Sequence, residues 1–249
     1  MKRPWSGLPI NDCGEKLVPL KTSFHCLEPH PYLSLGAPYG EYEDPWRLRS
    51  GVKKRLILAG NFLQIAHPDL RLAIFDAWRP ISVQAFMVQH SINQNCLARG
   101  VNRNDLSQKK AFEKIVEEVG KFWATPSLNP LFPPPHSTGA AVDLTLADTS
   151  GEVLDMGGDI DHVGPISSPS HYLKNANGDF VCHLFHQRRV CLAQVMQKAG
   201  FRQHPHEWWH FSYGDQLWAW KNNVSAALYG SCKPSKSKES TAFSPNCST

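Results

Sequence analysis

Nowhere in the 249 residues is there a C-x-x-C pair, an apolar run of bilayer-spanning length, an internal repeat or a basic stripe interleaved with aromatics. Each absence removes a class of function. A membrane helix needs about 20 consecutive apolar residues, so no membrane partner is expected. A nucleic-acid footprint needs clustered basic residues. Here the net charge is only +4, part of it from a tail in which Lys233, Lys236 and Lys238 face Glu239. No nucleic-acid partner is expected. The seven cysteines, Cys13, Cys26, Cys96, Cys182, Cys191, Cys232 and Cys247, are odd in number and lie in no nucleophile signature. Reduced, mostly buried thiols are expected. The start, Met1-Lys2-Arg3-Pro4-Trp5, has basic residues without an apolar segment behind them. It does not read as a signal peptide, and a cytoplasmic setting is expected.

The elements follow from periodicity. Residues 1–50 are rich in Pro, Tyr and Gly and predict an irregular wrap with one or two short strands. Val52, Leu56, Ala59, Phe62, Leu63 and Ala66 repeat at helical spacing over 51–66. Leu72–Phe75 predicts a strand that ends at Asp76 and Arg79, and Pro80 opens a helix running toward Leu97. Ala111, Phe112, Ile115, Val116 and Val119 predict a helix closed by Gly120. Five prolines between 124 and 135 make a stiff loop. A strand over Ala141–Leu146, turned by Asp148-Thr149-Ser150-Gly151, leads by hairpin into Val153-Leu154. Residues 157–179 predict a long loop, His183–Lys198 a helix, and Trp208–Tyr213 a strand. Residues from about 231 to 249 predict a disordered tail. The expected architecture is a single α+β domain over 1–230. A small, mainly antiparallel sheet would carry the functional site, with helices packed on it.

Two remote stretches carry the chemistry: Pro135-His136-Ser137-Thr138-Gly139-Ala140-Ala141-Val142-Asp143, and Glu207-Trp208-Trp209-His210. His136 and Asp143 lie seven apart, on opposite faces of a straight strand. Gly139 between them lets the chain bend, so that His136 hangs from a loop while Asp143 projects from the strand. Taken singly, His136 reads more readily as an ordinary loop histidine, and Asp143 equally as a solvent-facing strand position. Glu207 sits at the entry of an aromatic-rich strand, where a bend could bring it beside His210. The other reading is a core strand with an incidental Glu and His. Two imidazoles, one carboxylate and a further carboxylate, without cysteine, suit catalytic zinc better than structural zinc. His204 and His206 are expected at the rim, and His183 and His186 on an amphipathic helix.

These motifs, with Asp76-Ala77-Trp78-Arg79-Pro80, resemble those of the zinc-dependent D-Ala-D-Ala dipeptidases of the VanX type and, more widely, the zinc D,D-peptidases. The family pattern S-x-H-x6-D is matched by Pro134-Pro135-His136 through Asp143, and E-x-x-H by Glu207 and His210. Gly151 to Gly157 followed by Asp161, and Lys198-Ala199-Gly200-Phe201, are also similar. The likeness runs from about residue 50 to about 220. It implies one zinc ion per chain held by His136, Asp143 and His210, and a fold of the D,D-peptidase and hedgehog type. It implies Glu207 as general base and then acid, Arg79 at the developing oxyanion, and Asp161 on the substrate ammonium. The implied reaction is hydrolysis of the small dipeptide D-alanyl-D-alanine.

One position departs from the pattern. The family serine two residues before the first ligand is Pro134 here, which has neither a hydroxyl nor an N–H to offer a carboxylate. Ser137, Thr138 or a backbone amide is expected to take over. Three rival readings stand beside the main one. They are a D,D-carboxypeptidase or endopeptidase on cell-wall peptides, a non-catalytic zinc-binding module, and a reactive-cysteine enzyme.

Overall fold

The computed structural model describes residues 3–40, 44–173 and 179–233. Two short strands, β1 (Leu17–Pro19) and β2 (His25–Cys26), are followed by a single helical turn, α1 (Pro31–Ser34). Then come β3 (Arg47–Arg49), α2 (Ser50–Ala66), β4 (Leu70–Asp76), α3 (Ile81–Ala98) and α4 (Lys109–Phe122). The chain continues through β5 (Ala141–Asp148), α5 (Phe180–Lys198), β6 (Arg202–Gln203), β7 (His210–Ser212) and α6 (Gln216–Lys221). The main sheet has the order β2-β4-β5-β7-β6; only the β2–β4 pair is parallel. β1 and β3 form a separate antiparallel pair. The expected α+β class, with a small and mainly antiparallel sheet, is what the chain adopts.

The two faces of the sheet have different jobs. Leu72 and Leu146, Ile74 and Leu144, and Val142 and Phe211 are cross-strand partners. They pack with Val52, Leu56, Ala59 and Leu63 of α2 and with Leu192, Val195 and Met196 of α5 into the larger core. Burying one such side chain contributes roughly 1.5–3 kcal/mol. The smaller core joins α3 and α4 through Val83, Met87, Ile115 and Val119 to Tyr32, Tyr39 and Trp123. The sheet face turned from the larger core carries Asp143, His210 and Ser212.

A β-bulge between Ile74 and Asp76 decides what stands beside Asp143. It adds one residue to β4, so that Asp76 rather than Phe75 pairs with Asp143. Asp143 in turn pairs with His210 on β7. Asp76, Asp143 and His210 therefore form one row across three strands.

Several expectations need correction. Among the described residues of the first fifty there are three short strands and a helical turn. α3 starts at Ile81 with Pro80 as its cap. α4 runs past Gly120 to Phe122, with Val119 O capped by the Trp123 N–H; Gly120 needs no left-handed backbone there. α5 begins earlier than expected, at Phe180, because the Asp179 carboxylate accepts from the N–H groups of Val181 and Cys182. β7 is confined to 210–212, and Trp208 and Trp209 precede it. Only Cys26 and Cys96 are buried among the six described cysteines. The hairpin is present as a bridge between Ala147 and Val153. Part of the long loop (174–178) and residues 234–249 of the expected tail lie outside the described residues. Just before them, the Cys232 N–H donates to Ser137 O and its carbonyl accepts from Trp78 Nε1.

Candidate metal centre and active site

His136 lies in a short turn, Pro135–Thr138, that ends at Gly139 with φ +70. A side chain at Gly139 would be strained by that φ, and its Cβ would stand 2.4 Å from Leu17 Cδ2. This is the bend that the His136–Asp143 spacing requires. The turn is locked from outside by Arg49, whose N–H donates to Gly139 O and whose Nε donates to Thr138 O. It is locked from inside to the end of β4. His136 Nδ1 donates to Ala77 O at 2.7 Å, Arg79 N to His136 O at 3.3 Å, and Ser137 Oγ to Arg79 O at 2.8 Å.

These contacts fix the protons. A carbonyl can only accept, so His136 Nδ1 carries the hydrogen and Nε2 is a bare lone pair. On His210, Nε2 lies 3.3 Å from Ser212 Oγ, which itself donates to Asp215 Oδ2 at 2.7 Å. Ser212 can therefore only accept from the ring, which leaves His210 Nδ1 bare. The two bare nitrogens are 3.2 Å apart, and the Asp143 oxygens lie 3.2 Å from His136 Nε2 and 2.9 Å from His210 Nδ1. All three side chains are buried, and their donor atoms lie within 4.8 Å of one another. Three Lewis bases aimed at one point repel unless a cation lies between them. A tetrahedral zinc ion with bonds of about 2.0–2.1 Å would separate its ligands by roughly 3.3 Å. The donor set fits that ion. Burial opposes the charge on Asp143, but positive charge at its two imidazole neighbours, which protons supply when no cation is bound, outweighs it and holds the carboxyl far below the usual range.

Glu207 stands beside this set. Its Oε2 is 3.6 Å from His210 Nδ1, and its Oε1 is 3.2 Å from His204 Nδ1. Oε1 is buried without a hydrogen-bond partner among the described residues. Burial, helped by the charge of Asp143, pushes the carboxyl up to about 8 against the pull of Arg3, His136 and Arg79. His204, expected at the rim, is in fact buried against Glu207 and Trp5. His206 is exposed, as expected.

Arg79 is held on every side. Its Nε and Nη2 donate to Asp76 Oδ2 at 3.1 and 2.7 Å, Nη1 to Gln84 Oε1 at 2.8 Å, and Nη2 also reaches Asp143 Oδ2 at 3.4 Å. Asp76 is completely buried, and its other oxygen accepts from His30 and Tyr39. Burial works against that charge, yet Arg79 and the histidines keep the Asp76 carboxyl below its ordinary value. Asp161 faces the same cavity as Arg79, Asp143 and Glu207. Its backbone takes φ +67, and its Oδ2 accepts from Tyr32 Oη at 2.7 Å. The loop that carries it is tied to α5 by the buried Arg189, which donates to the carbonyls of Met156, Ile166 and Ser168.

The structure thus brings together His136, Asp143, His210, Glu207, Arg79 and Asp161. It does not bring Ser137. That hydroxyl is spent on Arg79 O, and Ser137 faces a different cavity, beside Trp78 and Cys232. Thr138 Oγ1 is likewise spent on Pro135 O. Sequence reasoning missed Tyr32 and His30 as supports of the site, and gave Asp76 no role beyond its place in the Asp-Ala-Trp-Arg-Pro motif.

Comparison with known proteins now decides the family. The model of the peptidase M15 family, D-ala-D-ala dipeptidase, matches residues 26–227. This chain belongs to that peptidase family. A D-alanyl-D-alanine dipeptidase of Synechocystis sp. is 45% identical over 226 residues, 89% of this chain and 91% of the relative. One from Enterococcus faecalis is 35% identical over 83 residues, 32% of this chain and 37% of the relative. Among solved structures, a mutant of the VanY D,D-pentapeptidase in complex with Zn(II) overlays with a TM-score of 0.44 at 13% identity. The overlay covers 88% of this chain and 96% of that one. The chain is a metallopeptidase-family enzyme, and among the described residues no helix is long and apolar enough to cross a membrane.

Proposed function

We propose that this enzyme hydrolyses D-alanyl-D-alanine to two D-alanines, with a single zinc ion held by His136, Asp143 and His210. Bound there, zinc supplies a Lewis acid that acidifies water and polarises the peptide carbonyl. Glu207 takes the proton from the attacking water and returns it to the leaving amine. Arg79, immobilised by Asp76 and Gln84, presents its guanidinium to the oxygen on which charge develops. Asp161, oriented by Tyr32, receives the ammonium of the first residue. The observation that carries the reading is the buried Glu207 carboxylate beside three convergent Lewis bases: its Oε1 accepts no hydrogen bond among the described residues, since the His204 Nδ1 that lies 3.2 Å away itself accepts from the His206 N–H. An orphaned carboxylate oxygen is costly to bury unless it has work to do on a ligand. The 45% identical relative carries the same activity in its name.

The cavity holds an acidic group for a free amino terminus close to the metal ligands, which suits a dipeptide better than the end of a long peptide. We place the reaction in the cytoplasm, where the six unpaired described cysteines are at home. Metal analysis paired with an assay of D-Ala-D-Ala against a longer peptide ending in D-Ala-D-Ala tests the reading. We expect one zinc per chain and preference for the dipeptide. Preference for the longer peptide would replace it with a D,D-carboxypeptidase.

A further inference from the structure

The departure at Pro134 leaves a question of charge. A free dipeptide carries a carboxylate two bonds beyond the leaving amine, and burying it unpaired is costly. Neither neighbouring hydroxyl is free, because Ser137 and Thr138 both donate to backbone carbonyls. Of the two arginines at the cavity, Arg79 has most of its donors taken by Asp76, Gln84 and Tyr32, and what it has left is assigned to the developing oxyanion. The other is Arg3, from the N-terminal segment.

Arg3 is half-buried at the cavity wall. Its Nη2 donates to Phe122 O at 2.9 Å, and its guanidinium lies 5.7 Å from the Trp5 ring centroid. Trp5 is itself buried, stacked edge-on to His204 and tilted against Trp220. The segment is thereby pinned. Among the described residues, Nε and Nη1 of Arg3 have no hydrogen-bond partner. A pinned guanidinium with two free donors matches a carboxylate. The cavity is also sided. Asp161 and Tyr32 lie with Arg79, whereas Arg3 stands against Trp5, which packs on His204, itself 3.2 Å from Glu207, the group that protonates the leaving amine.

We infer that Arg3 binds the free carboxylate of the substrate and so restricts the enzyme to peptides with an unblocked C-terminus. This rests on the dipeptidase reading. The N-terminal arm thus supplies the anion recognition that Pro134 cannot.

The test compares D-Ala-D-Ala with its C-terminal amide, using the zinc-loaded full chain and the variants Arg3→Gln and Arg3→Lys, each checked for an unchanged thermal unfolding midpoint. The parent should prefer the free acid by roughly tenfold or more in kcat/KM, the worth of a charge-assisted pair. Arg3→Gln should reduce that ratio about tenfold, through KM rather than kcat, and Arg3→Lys should recover part of it. A parent indifferent to amidation overturns the inference. So does an Arg3→Gln variant that loses both substrates in equal proportion, since that marks a structural role or an effect on Glu207 alone. If the parent cleaves neither substrate, it is the dipeptidase reading that fails.

Discussion

Asp143 and His210 face each other directly across the β5–β7 pair, with Oδ1 2.9 Å from Nδ1. Two rigid strands therefore set two of the three proposed ligands before any ion arrives, and a turn closed by Gly139 delivers the third. Asp143→Ala should abolish stoichiometric zinc binding and lower kcat/KM by about 10³-fold or more, a loss of several kcal/mol of transition-state stabilisation. Equilibrium dialysis with metal analysis checks the binding, and steady-state kinetics the rate.

Support behind the ligands should matter almost as much. Asp215 accepts a hydrogen bond from Ser212 Oγ, and Ser212 in turn accepts one from His210 Nε2. Asp215 also caps α6 by accepting from the Trp218 N–H through Oδ1. Asp215→Asn can keep the cap through its amide oxygen while weakening the relay. It should reduce zinc affinity about 10–100-fold, read in a competition titration against a chelator. An unchanged affinity would show that the relay does not tune His210.

Glu207→Gln keeps shape and removes the base. We predict a fall in kcat of about 10²–10⁴-fold with zinc content retained and KM little altered. Loss of zinc in this variant would make Glu207 a ligand rather than a base.

Asp161 gives a pH signature in the metal-free protein. Burial lifts its carboxyl to about 7, with the charge of Asp143 adding and Arg79 and Tyr32 opposing. The unfolded value is about 3.9. A folded value above the unfolded one favours folding fully below about 3.9, and that contribution is lost as pH rises through about 7. Asp161→Asn, which tolerates the left-handed backbone at this position, should therefore gain on the parent as pH rises from about 4 to about 8. The gain in Tm should be on the order of a few degrees. A constant difference across that range in thermal melts contradicts the assignment. With zinc bound, the same variant should raise KM for the dipeptide about tenfold or more.

The bend itself is open to test. Gly139→Ala places a Cβ 2.4 Å from Leu17 Cδ2 at φ +70. It should destabilise the fold by about 1–3 kcal/mol and displace His136, visible as a lower Tm together with weakened zinc binding.

Much of the candidate site was legible in the letters because the side chains that converge there sit in short motifs of distinctive chemistry. His136, Asp143, Glu207 and His210 needed only a spacing and a glycine to be placed. The long helices α2 and α5 were legible for the same reason, since a 3.6-residue apolar period survives without tertiary context. What escaped depends on contacts remote in sequence. The bulge that sets Asp76 in line with Asp143 is a register event between strands, and nothing in Leu72–Phe75 announces it. Tyr32 reaches Asp161 across a separation of 129 residues, and His30 reaches Asp76 across 46. Both come from a segment without periodicity, so no local pattern marked them. Ser137 was misplaced because a hydroxyl one residue from a ligand can face either way, and here the Arg79 carbonyl claims it. His204 was misplaced because its burial depends on Trp5, far away in the chain.

The most direct measurement strips metal from the enzyme with a chelator, then titrates zinc back while following both bound ion and release of D-alanine from D-Ala-D-Ala. We predict no hydrolysis without metal and full recovery at one zinc per chain. We also predict neither binding nor recovery in the His136→Ala, His210→Ala double variant. Hydrolysis that persists in the metal-free enzyme, or a double variant that still binds one zinc and cleaves the dipeptide, would contradict the account.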